Sequence, residues 1–171
     1  RRRRALHGER IEIDLNNLMY DYAEAFLNEH EGDDFESFSF ELIREVGLQP
    51  TFTLEEYDKA KRGELVEMIV ADLQALYNRR AKAVADTVRP VMTKIYEDQK
   101  DHLDGIIRFP LTNGHLGYNV PVNLQKCKDS DGAEIYKVFS KVVLFTTIDD
   151  AWREHLREMD DLRQSVQNAS Y

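Results

Sequence analysis

The chain has 171 residues, 42% of them hydrophobic, and a formal net charge of −9, which suits one modest core and a small satellite. Its longest apolar run, Val142 to Phe145, falls far short of the roughly 20 residues that cross a bilayer, and Arg1–Arg4 lead into no apolar signal region. The single cysteine, Cys127, excludes an internal disulfide framework and any multi-cysteine metal site. Twelve Asp/Glu stand against four Lys/Arg in residues 31–75, and the remainder is close to balanced. Without a basic stripe, nucleic acid is not an expected partner, and Arg1–Arg4 read as the solvated start of a helix. The chain opens inside a helical pattern with no initiating methionine, and so reads as a piece of a longer polypeptide.

Ile11, Leu15, Leu18, Met19, Tyr22, Ala25 and Phe26 recur at spacings of three and four, predicting a first helix to about residue 30. The polar run from Asn28 to Asp34, with Gly32 inside it, predicts a boundary loop. Ser39 is the expected cap of a short helix carrying Phe40, Leu42, Ile43 and Val46, ended by Gly47 and Pro50. Thr53 and Glu56 have capping-box spacing for a second short helix ending near Gly63. From Glu64 to Arg89 the residues Val66, Ile69, Val70, Leu73, Leu76, Val84 and Val88 keep helical spacing. Pro90 then predicts a kink or a break, with Met92, Ile95 and Tyr96 resuming the pattern to about Lys100.

Residues 105–124 change to period two. An Asn113-Gly114 type I′ turn pairs Leu111 with Leu116, Phe109 with Tyr118 and Ile107 with Val120 on one face. Pro110 and Pro121 keep either strand from being central in a larger sheet, and a lone hairpin needs helices beneath its apolar face. Lys126–Gly132 reads as a polar loop around a structural Cys127. A last helix is predicted from Glu134 to about Val166. Ile135, Val138, Phe139 and Val142 form one stripe, and after Ile148 the spacing continues through Trp152, Leu156, Met159, Leu162 and Val166. The expected fold is mainly α, with two long helices at the termini flanking a helical lobe that carries one β-hairpin.

Chemistry is sparse. Gly114–Tyr118 lacks the lysine and the spacing of a phosphate-binding loop. Cys127 has no histidine nearby in sequence, and no Gly-x-Ser-x-Gly elbow occurs. The densest polar cluster runs from Asp149 to Asp161, but no Glu-x-x-His motif of a helical di-metal site occurs. Glu154, Glu158 and Asp161 with Arg153, Arg157 and Arg163 read as a solvated, ion-paired face, and His155 as a partly buried histidine bonded locally. On residues alone, two readings remain: a free-standing helical protein-interaction module using the Trp152–Val166 stripe, and a metal-dependent enzyme using the carboxylates around His155.

The string Thr147–Val166 nevertheless closely resembles the SecA family of bacterial preprotein translocase motors, with Trp152, His155, Leu156, Met159, Asp160, Leu162, Arg163 and Gln164 matching in identity and spacing. Arg2–Ile11 resembles a stretch late in that family's long scaffold helix. The resemblance implies that residues 1–30 end the scaffold helix, 31–143 form a helical wing domain and 144–171 begin a two-helix finger, truncated at its tip. It also implies a non-catalytic arm of an ATP-driven translocase that moves preproteins through the SecY channel across the bacterial plasma membrane. ATP and Mg would be held elsewhere in the parent, leaving no catalytic, cofactor-binding or metal residue in this segment. The implied partners are the SecY channel complex, unfolded preproteins and, through the parent, the anionic membrane surface. The implied location is the cytoplasm and the cytoplasmic face of the plasma membrane. Tyr171 corresponds to the fingertip aromatic that contacts preprotein and channel. Ser165 stands where many members have glycine, and Asn168-Ala169-Ser170 replaces a commoner Leu-Arg-Gly.

Overall fold

The computed structural model describes residues 11–99, 105–112 and 117–169. Helices α1 (Ile11–Glu29), α2 (Phe35–Val46), α3 (Leu54–Lys59) and α4 (Arg62–Gln99) come first. Strands β1 (Ile106–Thr112) and β2 (Gly117–Asn123), short helix α5 (Leu124–Asp129) and long helix α6 (Ala133–Ala169) follow. This is the expected class, mainly α with one antiparallel hairpin. The chain divides into two compact units, the first ending at Ala83 and the second starting at Val84, a point inside α4.

In the first unit, local chemistry sets the helix ends. Gly32 turns the chain after α1 with φ +91°, and the Tyr57 hydroxyl donates to the Asp33 carbonyl at 3.0 Å. The cap of α2 is Asp34 and not Ser39: the Asp34 carboxylate accepts the Ser37 N–H at 2.8 Å. Ser39 lies inside the helix, its hydroxyl donating back to the Phe35 carbonyl. An ionised acceptor satisfies the orphan N–H and also meets the positive end of the helix dipole. Gly47 ends α2 at φ +68°, and both halves of the Thr53–Glu56 capping box are present. Helix α3 stops at Lys59, so Gly63 falls in the first turn of α4 instead of ending α3.

Of the two alternatives at Pro90, the break does not occur, because α4 continues as helix to Gln99. Proline forfeits one backbone bond, but Val88 and Met92 on either side are both buried in one cluster, and that packing holds the turn.

The first core gathers Ala23, Phe26, Phe38, Leu42, Ile69 and Val70. Phe38 is fully buried, meeting Phe26 edge-on at 5.2 Å and Tyr57 at 4.9 Å. Asp72 is a buried carboxylate with a built-in reason: it accepts the Thr51 N–H at 2.8 Å and the Thr51 hydroxyl at 2.6 Å. Those bonds offset its desolvation and tie the segment after α2 to α4.

In the second unit the hairpin keeps the predicted faces but not the predicted register. Phe109 pairs with Val120, Ile107 with Val122 and Leu111 with Tyr118, a shift of two residues. The strands stop at Thr112 and restart at Gly117, so four residues connect them instead of two. A two-residue turn would make Thr112 and His115 a mutually bonded pair. The antiparallel alternation would then demand an N–H from Pro110, which has none. A shift of two preserves which side chains face inward, and Val120 and Val122 are fully buried against Val88, Met92 and Ile135.

The expected loop at 126–132 is in part a helix. Asn123 caps α5 by accepting the Lys126 N–H at 2.9 Å, which brings Leu124 and Cys127, three apart, into the same core. Burial pushes the Cys127 thiol pKa up, and the Glu134 carboxylate adds to the rise, as befits a structural cysteine. Gly132, at φ +88°, lets the backbone approach α4 so closely that a Cβ there would sit 3.0 Å from the Ala85 carbonyl.

Candidate functional site

Helix α6 is about 55 Å long at 1.5 Å per residue, and its two halves bury differently. In the first half Ile135 is fully buried, with Val138, Phe139 and Val142 packed against the second core. In the second half Leu156, Met159 and Leu162 are 43%, 53% and 65% exposed. At 3.6 residues per turn, the centre of this second stripe lies roughly a third of a turn around the helix from the first. One core therefore cannot cover both, and the distal stripe is left to solvent with charged residues beside it. Exposed apolar side chains clustered in this way mark an interaction face.

The charged rim matches the solvated face read from the sequence. Glu154 and Arg157 pair at 3.0 Å with both side chains well exposed, a contact that contributes little in water. Asp160, Arg163 and Gln164 are exposed on the same stretch. His155 is exposed as well, which corrects the expectation of partial burial. Among the described residues no core lies under this half of the helix, so the flank of the stripe stays wet. Trp152 lies in α6, but its side chain is outside the described residues; Tyr171 and residues 1–10 are outside them entirely. Among the described residues no helix is long and apolar enough to cross a membrane.

The sequence profile of the SecA Wing and Scaffold domain matches residues 1–171. The chain belongs to the SecA family. It is 40% identical over 171 residues to the SecA protein translocase subunit of Parabacteroides distasonis. It is 39% identical over 171 residues to that of Phocaeicola vulgatus and 38% over 172 residues to that of Porphyromonas gingivalis strain W83. Each alignment covers 100% of this chain, and the chain spans 15% of the length of each of these relatives. No solved structure gives a match. For this SecA segment, the motif residues His155, Leu156, Met159, Asp160, Leu162, Arg163 and Gln164 all fall on the exposed distal half of α6.

One cluster has no signature in the sequence. Glu29 and His30 at the end of α1 and Glu45 near the end of α2 bring metal-binding atoms within 4.8 Å of one another. The polar run after residue 28 signals only a loop, and Glu45 joins it through the packing of α2 on α1, which no local spacing reveals.

Proposed function

We propose that this chain is the non-catalytic arm of an ATP-driven translocase that moves preproteins through the SecY channel across the bacterial plasma membrane. The observation that carries this reading is the full-length match to the SecA Wing and Scaffold domain combined with the exposed Leu156–Met159–Leu162 stripe. A helix anchored by Ile135 and Val142 at one half and free of its core at the other is stiff enough to carry a displacement to a distant tip. The stripe docks against a neighbouring part of the translocase, and Tyr171 contacts preprotein and channel. An aromatic ring suits that task, because it offers apolar contact without reading sequence.

ATP and Mg belong to other parts of the parent, since the sequence here contains no Gly-x-x-x-x-Gly-Lys run to cradle phosphates. The excess of eight negative charges in residues 31–75 repels an anionic lipid surface. Attachment to the cytoplasmic face of the membrane therefore falls to the parent's other segments. The test places Tyr171→Ala and Leu162→Asp separately in the full-length protein and measures ATP-dependent export into inverted membrane vesicles beside thermal stability. Export falling several-fold at unchanged melting temperature supports the arm. Unchanged export, or export that falls only in step with the amount of folded protein, contradicts it.

A further inference from the structure

We infer that Glu29, His30 and Glu45 form a binding site for a first-row divalent cation of the zinc class, which clips the end of α1 to the end of α2. The geometry starts from His30. Its Nδ1 lies 2.9 Å from an Asp33 carboxylate oxygen, so Nδ1 donates to Asp33, and in the neutral ring the lone pair stands on Nε2. Nε2 is shut off from solvent and is the buried side-chain nitrogen without a hydrogen-bond partner among the described residues. The ring is held in place by Phe26, whose centroid lies 4.3 Å away. A buried ring nitrogen with a free lone pair is costly unless a donor or a cation meets it, and the groups close by are two carboxylates, which are acceptors and leave that place to a cation.

One of those carboxylates, Glu45, is also oriented. Glu45 accepts the Tyr22 hydroxyl at 2.8 Å. A histidine steered by Asp33 and a carboxylate steered by Tyr22 reproduce the outer-shell pattern that fixes ligands around a metal. Three protein donors, with a water as the fourth ligand, would suit tetrahedral zinc, whose ligands stand about 3.3 Å apart when each is about 2.0 Å from the ion. Glu29 and Glu45 are exposed, and rotamer changes in these side chains close the remaining gap. One imidazole and only two carboxylates are a poor match for calcium or magnesium, which require six or more oxygen ligands or keep most of their water.

The ion would join residues sixteen apart in sequence across the turn at 30–34, a local staple independent of the export role. The experiment titrates the chain with Co2+, following visible ligand-field absorption, and with Zn2+ by calorimetry and thermal melting, with Mg2+ as control. One Co2+ per chain with tetrahedral bands, displacement by Zn2+ and a higher melting temperature are expected. His30→Gln and Glu45→Gln should each weaken binding at least tenfold. Asp33→Asn, which removes only the steering group, should weaken it about 10- to 100-fold while retaining one ion per chain. Glu45 is exposed, so its variant keeps the test valid should the histidine variant unfold. Absence of saturable Zn2+ or Co2+ binding, or binding that survives Glu45→Gln unchanged, overturns the site.

Discussion

Phe38→Ala is the most revealing perturbation of the scaffold, because the two cores share no residue. Phe38 is fully buried and is surrounded by rings that cannot collapse into the space it leaves: Phe26 at 5.2 Å, Tyr57 at 4.9 Å and Phe52 at 6.4 Å. Truncating a buried phenylalanine costs about 3–5 kcal/mol, and loss of the edge-on contact with Phe26 places this site toward the upper end. At about 4–8 °C per kcal/mol for a domain this small, the first unit should melt at least about 12 °C lower. Against a typical stability of about 5–15 kcal/mol, that loss is a large fraction of the total. Hydrogen exchange read by mass spectrometry resolves where. Peptides from residues 11–83 should lose protection, and peptides covering Val88, Met92, Val120, Val122 and Ile135 should keep it. Equal loss in both regions, or a cost below about 1 kcal/mol, would refute the assignment of separate cores.

The capping carboxylates set an acid limit. The Ser37 backbone N–H holds Asp34 below its ordinary pKa of 3.8, and the Thr53 backbone N–H holds Glu56 below 4.5. Both are lower in the folded chain, so their contribution is complete above those values and is lost as pH falls through the folded ones. An Asp34→Asn, Glu56→Gln double variant should show a flatter fall of melting temperature below pH 4.5, and identical slopes would rule the caps out. Gly132→Ala should destabilise the second unit by more than about 1 kcal/mol, since it combines a left-handed backbone with a Cβ 3.0 Å from the Ala85 carbonyl; urea melts check this, and a neutral result would mean that the 130–133 turn relaxes freely. Cys127 should react with a thiol reagent only at the rate of unfolding, because it is buried and its thiolate is disfavoured. Labelling faster than exchange of core amides would show an open α5.

What could be read from the sequence follows from which signals are local. The Thr53–Glu56 box, the Gly47 terminus and the inward face of the hairpin depend on neighbours within a few residues, and all three are found. Asp34 and Ser39 are both good caps for α2, and only the packing of Phe38 and Leu42 decides which turn begins the helix. Pro90 reads as a breaker until Val88 and Met92 are seen in one core. The hairpin register turned on the clash between an Asn-Gly turn and the missing N–H of Pro110. The motif on α6 was visible from its wording, but its exposure was not. Helical spacing shows that Leu156, Met159 and Leu162 share a side without showing that the side faces away from the core beneath Ile135. Glu29, His30 and Glu45 meet only through tertiary packing.

The distal stripe of α6 is tested most directly by site-specific photo-crosslinking in the full-length translocase engaged with a preprotein. A crosslinker at Met159 or Leu162 should give adducts to a neighbouring segment of the translocase. The same group at Asp161, on the opposite side of the helix by its 100° spacing, should give few. Comparable adducts at all three positions, or none at Met159 and Leu162, would contradict a docking face there.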